Sequence, residues 1–217
     1  MKVFLPDGSS LELDEGASGE AVCAHLLQAA PVGDATRLDI TIDAAVAVAV
    51  VAEALGDRCG TLAFDAELRR SVAPRRAGAR HVVDALFDLE PVAVDSDYER
   101  AFRELTQAKR AFLLVLTDLI EPTAARSLVD ALPVLTRHHA VAIAAVADPD
   151  LATLTTAEPR APEDVYRAAV ALDVLGARAE AAARLRHAGA DVIEAPPERL
   201  AAACVSAYLR AKARGRL

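Results

Sequence analysis

Ala111-Phe112-Leu113-Leu114-Val115-Leu116-Thr117-Asp118-Leu119-Ile120-Glu121 is the stretch whose reading decides the fold. Six apolar residues in a row, Ala111 to Leu116, suit a strand buried on both faces in the middle of a parallel sheet. Lys109-Arg110 precede the run and Pro122 opens a helical pattern after it. Thr117 and Asp118 fall where the strand ends. Ligands of open α/β sheets collect at the carboxyl ends of strands, which makes Asp118 a candidate site residue. The competing reading is ordinary: aspartate is favoured at turns and helix caps.

Outward from this strand, apolar runs alternate with helical patterns. Towards the amino terminus, Asp97–Ala108 predicts a helix with Tyr98, Ala101, Phe102 and Leu105 on one face. Gly60–Phe64 predicts a strand ending at Asp65, and Glu67–Val72 an exposed edge strand. Pro74–Arg80 is a basic loop leading into a helix over His81–Leu89. An earlier helix starts between Asp34 and Asp39 and runs to Leu55, with Ile42, Ala45, Val46, Ala49, Val50 and Glu53 as its expected face and Gly56 as its stop. Towards the carboxyl terminus, Thr123–Arg137 predicts a helix that Pro133 should bend or interrupt. Ala140–Val146 is the next strand, ending at Asp148. A short helix over Leu151–Thr155, a long one over Glu163–Ala188, a strand at Asp191–Glu194 and a closing helix over Glu198–Arg214 follow. The alternation predicts a Rossmann-like α/β fold, a mostly parallel sheet with helices on both faces.

Residues 1–31 differ. Lys2–Leu5 and Leu11–Leu13 flank Pro6-Asp7-Gly8, a hairpin pattern. Ser18 then caps a short helix over Glu20–Ala30.

A length of 217 residues allows one good core, and 53% hydrophobic with 4% aromatic residues makes that core largely Ala, Val and Leu. The formal charge of −8 opposes general nucleic-acid binding, which needs a basic face. Cys23, Cys59 and Cys204 are too widely spaced for a zinc site or a disulfide framework, so they are expected as small thiols in a reducing compartment. No leader pattern opens the chain, and the run Ala44–Ala52 is too short to span a bilayer, so a soluble, cytoplasmic protein is expected. Nucleotide-binding glycine loops and nucleophile elbows are missing, and the five histidines show no ligand spacing. Acids do recur at strand ends: Asp65, Asp118 with Glu121, and Asp148. With hydroxyls from Ser96 and Thr117, such a rim has the oxygen chemistry of a Mg²⁺ site.

Several stretches carry a family resemblance: Thr36-Arg37-Leu38-Asp39, Gly56–Gly60 leading to Ala63-Phe64-Asp65, Asp95-Ser96-Asp97-Tyr98, Leu116-Thr117-Asp118-Leu119, Ala147-Asp148-Pro149, Pro162–Arg167 and Tyr208–Leu217. In order and spacing, over about 185 residues, this resembles the carboxyl-terminal part of the domain-of-unknown-function 58 family, whose domain is von Willebrand factor type A-like. The resemblance implies a Rossmann-like sheet over residues 32–217 with a metal-ion-dependent adhesion site on its rim. Asp118 matches the Asp of that site's third loop, and Ser96-Asp97 fall at its second loop. The first strand with its Asp-x-Ser-x-Ser loop, expected just before Val32, is missing. The resemblance therefore implies a degenerate site of Asp118, Ser96 and Asp97, beside a partner-binding rim of Asp65, Thr117, Glu121 and Asp148.

Members of that family are associated with MoxR-type AAA+ ATPases, which implies a non-enzymatic adaptor. Val3–Ser9 with Glu15–Val22 is similar to the start of a TGS domain, the small fold that opens threonyl-tRNA synthetases and some GTPases. The alternative expectation is thus a regulatory or RNA-linked fragment related to those synthetases, and a chimeric or truncated gene product also fits such a start.

Overall fold

The structure, a computed structural model, describes residues 2–4, 10–12, 31–32, 35–92, 94, 96–105, 109–117 and 122–215, with side chains from residue 35 onward except those of 122–125, 127 and 150. The expected helix over Glu20–Ala30, and Asp118 and Glu121, lie outside the described residues. So does most of the TGS-like stretch.

Strands β1 (Lys2–Phe4) and β2 (Ser10–Glu12) pair antiparallel, Val3 opposite Leu11. β3 (Pro31–Val32) and β4 (Ala35–Thr36) form a second small ladder that leads into α1 (Arg37–Ala54). Thr36 and Asp39 make a reciprocal cap there. The Asp39 amide donates to the Thr36 hydroxyl at 3.1 Å, and the Thr36 amide donates to the Asp39 carboxylate at 2.8 Å. Gly56, at φ +77°, stops the helix as the sequence indicates.

The buried residues of α1 are Arg37, Ile40, Ala44, Ala49 and Ala52, while Val50 is exposed. Of the expected face only Ala49 is buried outright. The helix is apolar almost all round, so periodicity cannot select its face, and packing against α7 (Pro197–Ala213) does so instead.

β5 (Cys59–Phe64) and β6 (Leu68–Arg75) form an antiparallel hairpin, longer than the sequence indicates and absorbing part of the expected basic loop. α2 (Ala79–Leu86) follows, its first amide bonded to the Glu53 carboxylate of α1 at 2.8 Å. α3 (Tyr98–Leu105) precedes β7 (Phe112–Leu116). α4 (Pro122–Thr136) runs uninterrupted through Pro133, which faces solvent, where water can satisfy the carbonyl it frees. Then come β8 (Ala140–Val146), α5 (Pro149–Thr156), α6 (Pro162–His187), β9 (Asp191–Ala195) and α7.

β7, β8 and β9 form a parallel sheet in that order, with Leu114 opposite Ala142 and Ala144 opposite Ile193. β8, not β7, is therefore its middle strand among the described residues. Burial agrees: Val141–Val146 are all buried, whereas in β7 only Val115 is. Alternation along the strands supplies two cores. Leu113, Val115, Val141, Ile143 and Ala145 meet Leu128, Leu132 and Leu135 of α4, Leu185 of α6 and Tyr98 and Phe102 of α3. Phe112, Leu114, Leu116, Ala142 and Ala144 meet Ile40 and Ala44 of α1 and Leu200 and Cys204 of α7. Burying each such leucine contributes about 1.5–3 kcal/mol. Helices thus cover both faces, compatible with a Rossmann-like α/β architecture.

Candidate functional site

The carboxyl ends of β5, β7 and β8 form a rim, and the strands deliver Asp65, Thr117 and Asp148 to it. Asp65 follows β5 directly. Its carboxylate accepts the Glu67 amide at 2.9 Å and pairs with Arg69, while its carbonyl accepts the Asp97 amide at 2.9 Å. Asp97 in turn caps α3, accepting the Arg100 amide at 2.9 Å. The carbonyl of Ser96 accepts the Tyr98 amide at 3.2 Å. One loop therefore joins Asp65, Ser96 and Asp97.

Thr117 is fixed from two sides. Its amide donates to Ala144 of β8 at 3.1 Å, and its hydroxyl lies 2.6 Å from that of Tyr98. The Tyr98 ring is buried, edge-on to Phe64 at 5.5 Å and to Phe102 at 6.0 Å. Tyr98 thereby carries β5, α3 and β7 as one unit.

Asp148 stands apart from this group, ion-paired to the buried guanidinium of Arg37, which also donates to the Val146 carbonyl at 3.5 Å. The pair ties the start of α1 to the end of β8. Sequence reasoning missed both Tyr98 and Arg37 as rim residues. A signal for Arg37 exists: a cation in the first turn of a helix opposes the macrodipole, so it needs another reason to be there.

For a divalent cation the described donors fall short. The Asp97 and Asp65 carboxylates already serve backbone amides and Arg69, and the described residues contain no cluster of three His, Cys, Asp or Glu able to hold a metal. The contribution of Asp118 and Glu121 lies outside the described residues.

At the opposite ends of the strands, the Asp57 carboxylate accepts from Lys212 and from the Tyr208 hydroxyl. Those two bonds, Lys212 first, hold Asp57 below the usual carboxylate range. Burial, then Asp57, pushes the Tyr208 phenol up, so it is a neutral donor and not an activated base. Burial likewise raises Cys59, which is half-buried, and raises the buried Cys204 to about 11, which keeps both thiols protonated near neutral pH.

Residues 28–190, about three quarters of the chain, match the family described as protein of unknown function DUF58. The chain belongs to the DUF58 family. No curated protein and no solved structure matches this DUF58 chain. Among its described residues, no helix is long and apolar enough to cross a membrane.

Proposed function

We propose that this DUF58 chain is a non-enzymatic protein–protein interaction module, a cytoplasmic adaptor working with a MoxR-type AAA+ ATPase. The observation that carries the reading is how the rim acids are used. Asp65, Asp97 and Asp148 each hold a structural bond: Asp65 to Arg69 and the Glu67 amide, Asp97 to the Arg100 amide, and Asp148 to Arg37. A rim so fixed is a rigid polar surface, suited to a partner that reads shape and charge. Family membership and the von Willebrand factor A-like resemblance support the same reading.

In this account Ser96, Asp97 and Asp118 are the remnant of a metal-ion-dependent adhesion site, and Asp65, Thr117, Glu121 and Asp148 surround it as the partner face. Partner binding then does not require Mg²⁺. Co-purification of the tagged chain with a MoxR-type ATPase, with and without a chelator, tests both parts. Retention in both conditions supports the reading. Loss with chelator alone returns the rim to a working metal site, and no retention in either condition removes the ATPase as partner.

A further inference from the structure

α6 carries two rows of residues spaced three and four positions apart. One row faces the molecule: Ala171, Arg178, Ala182 and Leu185 are buried. The other row is Val165, Ala169, Leu172, Gly176, Ala179 and Ala183, exposed at every position and without a charge. At 1.5 Å per residue it runs about 27 Å along the helix. The solvent side of a surface helix is ordinarily polar or charged, so an apolar row there calls for a cover. Val165 is 57% exposed and Leu172 59%. The start of the helix is the part least supported by the rest of the chain: none of residues 162–170 is buried.

Gly176 sits near the middle of this row. Glycine is disfavoured inside a helix because it gives up the most backbone freedom there. A Cβ at Gly176 would meet nothing within 4 Å among the described residues. Packing within the chain therefore supplies no reason for the glycine, whereas a second helix crossing at close range does.

The row is asymmetric along its length. Its larger side chains, Val165 and Leu172, lie in the first half, and Gly176, Ala179 and Ala183 in the second. The charges divide the same way, with Glu163 and Asp164 in the first turn and Arg184, Arg186 and His187 in the last. With Glu158, Arg160 and Arg167 included, the first end is still net acidic. The last end is still net basic with Glu180, which pairs with Arg184 at 2.9 Å. Arg178 is buried, and Asp191 beyond that end pairs with Arg210 at 3.3 Å.

We propose that α6 is a homodimerisation helix, its outer row packed antiparallel on the same row of a second copy. Self-complementarity selects that occupant: a two-fold axis sets each half of the row, in size and in charge, on its opposite. Knobs then meet holes. Leu172 stands over Gly176 of the second copy, Val165 over Ala183 and Ala169 over Ala179, while Glu163 and Asp164 approach Arg184 and Arg186. Asp173 lies beside the axis and faces its own copy, an unfavourable contact that tunes the strength. A contact about 27 Å long and about 10 Å wide is smaller than the roughly 800 Å² per partner of a standard interface, so the dimer forms reversibly. This pairing does not rest on the adaptor reading.

The test is sedimentation equilibrium on the full chain from micromolar to millimolar concentration. Wild type should pass from monomer to dimer over that range. Leu172→Asp, at an exposed position, should weaken the dimer at least tenfold and leave the melting temperature of the dilute monomer unchanged. Gly176→Leu should weaken it as much, although leucine is the better helix former and the dilute monomer should melt no lower. The double variant Leu172→Gly with Gly176→Leu exchanges knob and hole and should dimerise better than Gly176→Leu alone. Asp173→Asn should tighten the dimer. A wild type that stays monomeric at millimolar concentration overturns the proposal, whether another protein or residues 1–30 cover the row. Dimers that ignore Leu172→Asp place the contact elsewhere and also overturn it. A double variant no better than Gly176→Leu, or a dimer weakened by Asp173→Asn, contradicts the antiparallel register.

Discussion

The Tyr98 hydroxyl lies 2.6 Å from the Thr117 hydroxyl, binding the first turn of α3 to the end of β7. Neither residue looks structural from its position on the rim, yet together they make the rim rigid. Tyr98→Phe keeps the ring and removes one hydrogen bond, so it should lower unfolding free energy by about 1 kcal/mol. Tyr98→Ala removes the ring that joins Phe64 and Phe102 and should cost about 3–5 kcal/mol. Urea unfolding of both variants checks the ranking. Equal losses would mean that the ring is not the joint.

Arg37→Met removes the buried guanidinium that pairs with Asp148 and should cost about 3–5 kcal/mol. The double variant Arg37→Met with Asp148→Leu should cost clearly less than the sum of the single changes. Thermal melts of the three variants form the cycle, and simple additivity would rule out direct coupling.

His139 is buried between α4 and β8, and its Nδ1 has no hydrogen-bond partner. Burial first, and neighbouring His138 second, hold its pKa below the ordinary histidine value. The folded state therefore binds fewer protons than the unfolded state just below pH 6.5. That contribution is fully present above the unfolded pKa and is lost as pH falls through the folded value. Wild type should lose stability as pH falls below about 6.5, and His139→Leu should flatten that stretch of the curve. Parallel curves for the two proteins would show that another group titrates.

Gly60 sits in β5 where a Cβ would lie 2.3 Å from the Val72 carbonyl oxygen and 2.8 Å from the Pro74 nitrogen. Both neighbours are backbone, so neither can step aside. Gly60→Ala should open the β5–β6 hairpin at its irregular register and cost about 1–3 kcal/mol. Exchange of the β6 amides should accelerate most. Uniform acceleration over the whole chain would instead indicate a global loss.

Much of the fold is legible in the sequence because its strands are short apolar runs between clear stops. Ala140–Val146 emerges at its sequence boundaries, and α6 starts one residue early because Pro162 occupies its first turn, with Asp164 capping the Arg160 and Ala161 amides at 3.0 Å. What the sequence hides are the choices made by packing. An all-apolar run such as Phe112–Leu116 reads alike in the middle or at the edge of a sheet, because hydrophobicity records burial of faces and not pairing of edges. The rim was legible as a row of acids. Their partners, Arg37 for Asp148 and Arg69 for Asp65, were not, since the first pair joins residues 111 positions apart.

Binding of the purified chain to a purified MoxR-type ATPase, with Asp97→Arg beside wild type, tests the adaptor reading most directly. Surface-immobilised chain titrated with ATPase should bind saturably, and charge reversal on the rim should weaken binding at least tenfold while leaving the melting temperature within a few degrees, since one exposed cap contributes about 1 kcal/mol. Equal binding by the two proteins would place the contact away from the rim, and no binding by wild type would contradict the adaptor role itself.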